Sequence, residues 1–108
     1  MTVATLLNGV TSIGTGNAAK VTGGPKTARL KVVGAGSVQA TADIYGTDDE
    51  YSGGVLPTTG GVFIGTLSAS GTTIAADGFA INAPWTNFYA TLTSITGTSA
   101  AATVTVNG

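Results

Sequence analysis

The sequence predicts an all-β protein: a single antiparallel β-sandwich, or jelly-roll-like domain, with an irregular N-terminal arm. Apolar residues recur with period two, no segment has the period of a helix, and glycine-containing turn signals return about every ten residues. The length of 108 residues suits one domain. We therefore assign 28–108 to the β-sandwich and 1–27 to an N-terminal arm, or to a first strand followed by an irregular leader.

The strand predictions follow the alternation. In 28–33, Leu30 and Val32 share one face while Arg29 and Lys31 share the other. The same pattern predicts strands at 37–45, 87–95 and 102–107, and weaker patterns predict strands at 2–7, 61–68, 72–76 and 78–82. Glycine-rich segments between them, among them 34–36, 70–71 and 97–98, are interpreted as turns.

The sequence leaves open whether the N-terminal segment is a strand and what covers the C-terminal segment. Residues 1–27 alternate weakly, so Val3 to Leu7 is either the first strand of the sandwich or part of an irregular arm. The C-terminal sequence AATVTV is short, uncharged and β-prone, which is typical of an aggregation-prone edge strand. We expect this segment to be covered by another strand, another subunit or an exchanged arm.

The chain contains few charged residues. They make up 8% of the sequence, against roughly 25% in ordinary soluble domains. Asp77 is the one charged residue after position 50, and the chain has neither histidine nor cysteine. We expect a non-enzymatic protein without cofactor or bound metal, whose surface is covered by other protein. The net charge of −1 favours neither nucleic acid nor membrane as a partner.

Two charged clusters are candidate contact residues for a partner. All basic residues lie between positions 20 and 31: Lys20, Lys26, Arg29 and Lys31. They suit an acidic protein surface better than nucleic acid, because no aromatic residues are interleaved with them; simple solvation is the alternative. The second cluster is Asp48, Asp49 and Glu50 with Tyr51.

The acidic cluster most simply forms a solvated hairpin tip. A cation site there would need an alternating series of oxygen ligands, which this sequence lacks. A carboxylate pair for glycoside hydrolysis is conceivable with Asp43 and Asp77. Nothing in the sequence positions those two residues together.

The order of these segments resembles a known class of proteins. The segment ATADIYGTDDEYSGGV (40–55) precedes Pro84-Trp85, which leads into NFYATLTSITGTSAAATVTVNG. Over 28–108 this arrangement resembles small all-β virion proteins of tailed bacteriophages, in particular capsid decoration or cement proteins. The resemblance implies a homotrimer that binds major capsid proteins, has no catalytic residues, and is made in the host cytoplasm before joining the virion.

Two other functions remain open. One is a tail, fibre or head–tail structural component of a virion. The other is a carbohydrate- or surface-binding β-sandwich module, suggested by Tyr45, Tyr51 and the acidic loop. From the lack of a positively charged start and of long apolar runs, we expect neither a signal peptide nor a transmembrane segment.

Overall fold

A computed structural model describes residues 3–21, 25–47, 61–81 and 86–107, and every regular element among them is a β-strand. None of the described residues forms a helix long and apolar enough to cross a membrane. The strands are β1 (Val3–Val10), β2 (Gly14–Thr15), β3 (Ala19–Lys20), β4 (Lys26–Thr47), β5 (Val62–Ile81) and β6 (Asn87–Asn107).

All strand pairs belong to one antiparallel sheet with the order β1-β6-β4-β5. The short strands β2 and β3 also pair with β6, opposite 91–92 and 87–88, beyond the part of β6 that pairs with β1. The sequence-based prediction of an all-β antiparallel fold is therefore confirmed.

The three longest strands are bent. An extended strand as long as β4, with 22 residues, would reach about 70 Å. The longest dimension of the structure is 42 Å. The glycine segments 34–36, 70–71 and 97–98 lie inside β4, β5 and β6, so the prediction that they reverse the chain was wrong. Pairs of predicted short strands are the two halves of single bent strands.

The bends share an unusual backbone conformation. Positive φ angles occur at Gly36 (72°), Thr73 (64°), Gly97 (126°) and Ser99 (55°), and the register of β4 with both neighbours shifts between Val33 and Gln39. Left-handed φ angles favour glycine. We call the line that joins these bends, continued through 10–14 between β1 and β2, the fold line.

Folding at this line places two layers face to face and makes the sheet a β-sandwich. Layer A contains 3–10, 26–33, 74–81 and 100–107; layer B contains 14–20, 37–47, 62–71 and 87–96. Contacts cross from one layer to the other: the Lys26 Nζ lies 5.9 Å from the centre of the Phe88 ring, and a Cβ at Gly65 would lie 3.0 Å from the Phe79 ring.

The core lies between the two layers. In β4 the even-numbered residues point inward on both sides of the fold line, as shown by Leu30 and Val32 in layer A and Ala42 and Ile44 in layer B, all 0% exposed. Residues from both layers form one hydrophobic cluster. Full burial of each such leucine or isoleucine contributes about 1.5–3 kcal/mol.

The N-terminal segment completes the sandwich. Leu6, Leu7 and Val21 are buried in the core, and β1 pairs with β6 from Val3 opposite Asn107 to Val10 opposite Ala102. The C-terminal segment therefore lies between β1 and β4. The expected cover of AATVTV is supplied by strands of the same chain.

Substitution of Gly36 tests how much the backbone conformation at the fold line contributes to stability. A Cβ on this residue would meet no atom within 4 Å, so replacement by alanine changes only the backbone energy at positive φ. We expect Gly36→Ala to lower the free energy of unfolding by about 1–2 kcal/mol, measured by urea denaturation. Ser37→Ala, at the exposed neighbouring residue, is the control. Equal stability of the two variants would contradict the expected strain.

Candidate interaction surfaces

The sheet divides the basic cluster among three places. Arg29 and Lys31 are exposed on the outer face of layer A, and Lys20 is exposed on β3 in layer B. Lys26 is only 2% exposed, because it shares the inward-facing parity of Ala28 and Leu30. The four residues do not form one surface patch.

Lys26 begins β4 at the end of the sandwich that is farthest from the fold line, where it contacts layer B. Its amino group lies above the Phe88 ring, and the buried polar residues of the described structure are Lys26, Thr47 and Asn87. The register places Thr47 opposite Asn87. A lysine in this position contributes through its buried aliphatic stem as well as through its charge.

The acidic candidates have different outcomes. Asp48, Asp49, Glu50 and Tyr51 lie outside the described residues. Asp43 is on the outer face of layer B, where its Oδ1 accepts a 2.9 Å hydrogen bond from Thr66 Oγ1.

The Asp43–Asp77 pair considered from the sequence is not supported by the contacts of these residues. Asp77 lies opposite Leu30, which is buried, and its carboxylate binds backbone N–H groups of β5. Within the described residues, no three side chains of the histidine, cysteine, aspartate and glutamate types are grouped to hold a metal ion.

The outer face of layer B carries hydroxyl and amide groups bonded to one another. Gln39 Nε2 donates to Thr41 Oγ1 at 2.7 Å, and Ser94 Oγ donates to Gln39 Oε1 at 3.0 Å. Thr41 Oγ1 and Ser68 Oγ share a longer hydrogen bond of 3.4 Å. These bonds connect β6, β4 and β5 across the sheet, so the face is polar although Asp43 is its one charged residue in β4 to β6 of the described structure.

A row of aromatic rings lies at the end of this face. Tyr45 stacks on Tyr89 with ring centres 5.1 Å apart, and Phe63 meets Tyr45 edge-on at 5.9 Å. The Tyr89 hydroxyl accepts the Gly61 N–H at 2.8 Å, which fixes the start of β5. Tyr45 therefore has one ring face covered by Tyr89, whereas Phe63 is 55% exposed.

Asp77 lies at the edge of β5. Its Oδ2 accepts the Ser68 N–H at 3.0 Å, and its Oδ1 accepts the Gly78 N–H at 2.9 Å. Ser68 belongs to layer B and Gly78 to layer A, so one carboxylate connects the two halves of this edge strand. Two N–H groups that would otherwise be available to another strand are occupied, and a charged side chain on an edge strand opposes sheet extension.

The sequence alone did not reveal this role of Asp77, although the pattern contained a signal. Ala75, Phe79 and Ile81 have the parity of core residues, and Asp77 has the same parity. A charge in an inward position of an uncharged strand indicates edge protection.

Large apolar residues also remain exposed on the described structure. Val62 and Phe63 begin β5, and Val33 and Ile74 are direct partners in β4 and β5 beside the fold line. Their exposed fractions range from 40% to 55%, and Ile13 is 66% exposed. Exposed apolar groups that recur along an edge strand favour contact with other protein.

No family model, curated protein or solved structure matches this chain.

Lys26 and Lys31 lie on opposite faces of β4, so substituting each of them tests whether the first is buried and the second exposed. We expect Lys26→Ala to lower the free energy of unfolding by about 2 kcal/mol, because it removes a buried four-carbon stem. Lys31→Ala removes the same charge from an exposed position, and its cost is expected below about 0.5 kcal/mol. Urea denaturation measures both, and similar losses would contradict the burial of Lys26.

The role of Asp77 at the edge can be tested separately. Asp77→Ala leaves the Ser68 and Gly78 N–H groups without their acceptor. We expect a loss of about 1 kcal/mol in unfolding free energy and greater self-association, measured by light scattering at increasing protein concentration. Asp43→Ala removes the same charge from the sheet face and serves as control. If both variants associate to the same degree, net charge and not edge protection is responsible.

Proposed function

We propose that this chain is a non-enzymatic virion structural protein, a capsid decoration or cement subunit. In this proposal it associates as a homotrimer and stabilises a phage head by binding major capsid proteins. The sequence resemblance over 28–108 provides the link to virions. The physical support comes from the surface of the sandwich.

The observation that carries the proposal is the low charge of both sheet faces together with exposed apolar groups. In β4 to β6 of the described residues, the outward charges are Arg29 and Lys31 on layer A and Asp43 on layer B. Threonine, serine, alanine and glycine occupy most other outward positions. Such a surface loses little solvation energy when another protein covers it, because few charges must be removed from water.

Phe63 is the most suitable apolar anchor on layer B. Its ring is half exposed and is held from one side by Tyr45. Contact with a partner would therefore restrict little additional rotation of the side chain. Phenylalanine is among the aromatic residues that are enriched at protein–protein interfaces. Val62 lies beside it and extends the apolar area along β5.

A structural subunit also suits the arrangement of the few ionisable groups. The carboxylates of Asp43 and Asp77 are bonded to Thr66 and to the β5 backbone, respectively. These contacts orient them as structural acceptors and do not direct them to a common point. A tail or fibre component would use the same surfaces, and the location of the protein in the virion decides between the two positions.

The proposal is tested by co-sedimentation with shells assembled from the major capsid protein of the same virus. We expect saturable binding at a fixed ratio of this chain to the capsid protein, and a trimer in the native mass spectrum. Phe63→Ser is expected to weaken shell binding roughly tenfold or more. Thr96→Ala, also exposed on layer B, is the control and is expected to bind normally.

Each result has a defined meaning. Absence of binding to the shells would reject the decoration role, and a strict monomer would reject the homotrimer. Binding to isolated tails instead of shells would favour the tail component. Binding to neutral glycans on an array, lost in Phe63→Ser, would favour the carbohydrate-binding module.

A further inference from the structure

The outer face of layer A carries two cations side by side. Arg29 and Lys31 are both exposed and are separated by one residue along β4, so their side chains leave the same face about 7 Å apart. Their partners on β6 are Thr105 and Thr103, and their partners on β5 are Gly78 and Ala76. Hydroxyl groups therefore flank the cations on one side and very small residues on the other.

The small residues leave a depression in the surface. It has a volume of about 400 Å³ and is bordered by Thr27, Arg29, Ala76, Asp77 and Gly78. Ala76, Gly78 and Ala80 are exposed at alternate positions of β5, and this spacing covers about 13 Å of strand. The depression lies against Ala76 and Gly78 of this row, where the small side chains leave room for the backbone of an extended chain.

Arg29 and Asp77 border the depression, and Lys31 follows Arg29 on the same face. Among the described residues, Arg29 and Lys31 form no ion pair. Asp77 borders the depression, but its carboxylate is held by the N–H groups of Ser68 and Gly78. The two cations are thus available to a ligand, whereas the nearest carboxylate is already bound.

We propose that this surface binds an extended acidic segment of a partner protein, with carboxylates at alternate positions. Side chains on one face of an extended chain recur every 6–7 Å, which matches the spacing of Arg29 and Lys31. The arginine can also form a bidentate pair with a carboxylate. This inference rests on the proposed function, to which it adds a second contact face on layer A beside the Phe63 surface of layer B.

The chemistry favours a protein segment over nucleic acid. Two cations would release few counterions from a phosphate chain. The aromatic row of Tyr45, Tyr89 and Phe63 is on the other layer, so no rings on this face stack with bases. Small residues beside the cations instead accommodate the backbone of an extended peptide.

The test uses the full chain and fluorescent peptides, with binding measured by anisotropy. One probe alternates glutamate with threonine. A second has the same composition with all glutamates consecutive, and a third has glutamine in place of glutamate. We expect the alternating glutamate peptide to bind tightest and to weaken as salt is added, because exposed ion pairs are screened.

Variants assign the binding to this surface. We expect Arg29→Gln and Lys31→Gln each to weaken binding about fivefold, and Lys20→Gln, with the same change of charge on layer B, to have no effect. Ala76→Phe fills the depression without changing charge and is expected to weaken binding as well. Ser70→Phe is its control, at an exposed residue of the same strand in layer B.

The proposal fails if the glutamate and glutamine peptides bind equally, or if Lys20→Gln weakens binding as much as Arg29→Gln. It also fails if a single-stranded oligothymidylate binds the same site more tightly than the alternating peptide. The shell-binding experiment is separate: shell binding that Arg29→Gln leaves intact would reject this contact surface while the proposed function stands. Peptide binding without shell binding would reject the function alone.

Discussion

The rest of the structure depends on the bend that all long strands make at one line. A sheet of this length would expose one apolar face to water if it stayed flat. Bending at 34–37, 71–73 and 97–99 turns that face onto itself, so the halves of each strand become opposing layers of one core. The backbone takes left-handed conformations at the bends, two of them at Thr73 and Ser99. Burial of the shared core outweighs this local strain.

In the folded sheet, layer A and layer B must also be connected at the two edges of the sheet. On the N-terminal side, the Asn17 N–H bonds to the Leu6 carbonyl at 3.1 Å, and Gly16 approaches Leu6 and Leu7 so closely that a Cβ has no space. On the β5 side, Asp77 performs the corresponding connection through its side chain. The one charged residue after position 50 thus stabilises the edge that has no neighbouring strand among the described residues.

Alternation in the sequence was sufficient to predict the halves of the long strands and their buried face, because period two is set by the local geometry of a strand; the short strands β2 and β3 were not predicted. Alternation did not distinguish a reversal from a bend, since Gly34 and Gly36 allow both and the choice depends on pairing with distant β5 and β6. The burial of Lys26 could have been predicted from the sequence, because Lys26 continues the inward series of Ala28, Leu30 and Val32. Contacts such as Tyr89 with Gly61 join residues far apart in the chain, and no local pattern predicts them.

The alternation of inward and outward residues also determines which side chains each surface presents. Because β4 keeps its inward face through the bend, its outward residues form two separate faces: cationic with small neighbours in layer A, polar with an aromatic end in layer B. Two chemically different faces on opposite sides of one thin core allow a subunit to contact two partners, or two copies of one partner, simultaneously. Asp77 opposes extension of the sheet at β5, so contacts through the faces are favoured over edge pairing. The scarcity of charge and the protected edge are both compatible with the proposed association through the faces, in which Arg29 and Lys31 would select the orientation.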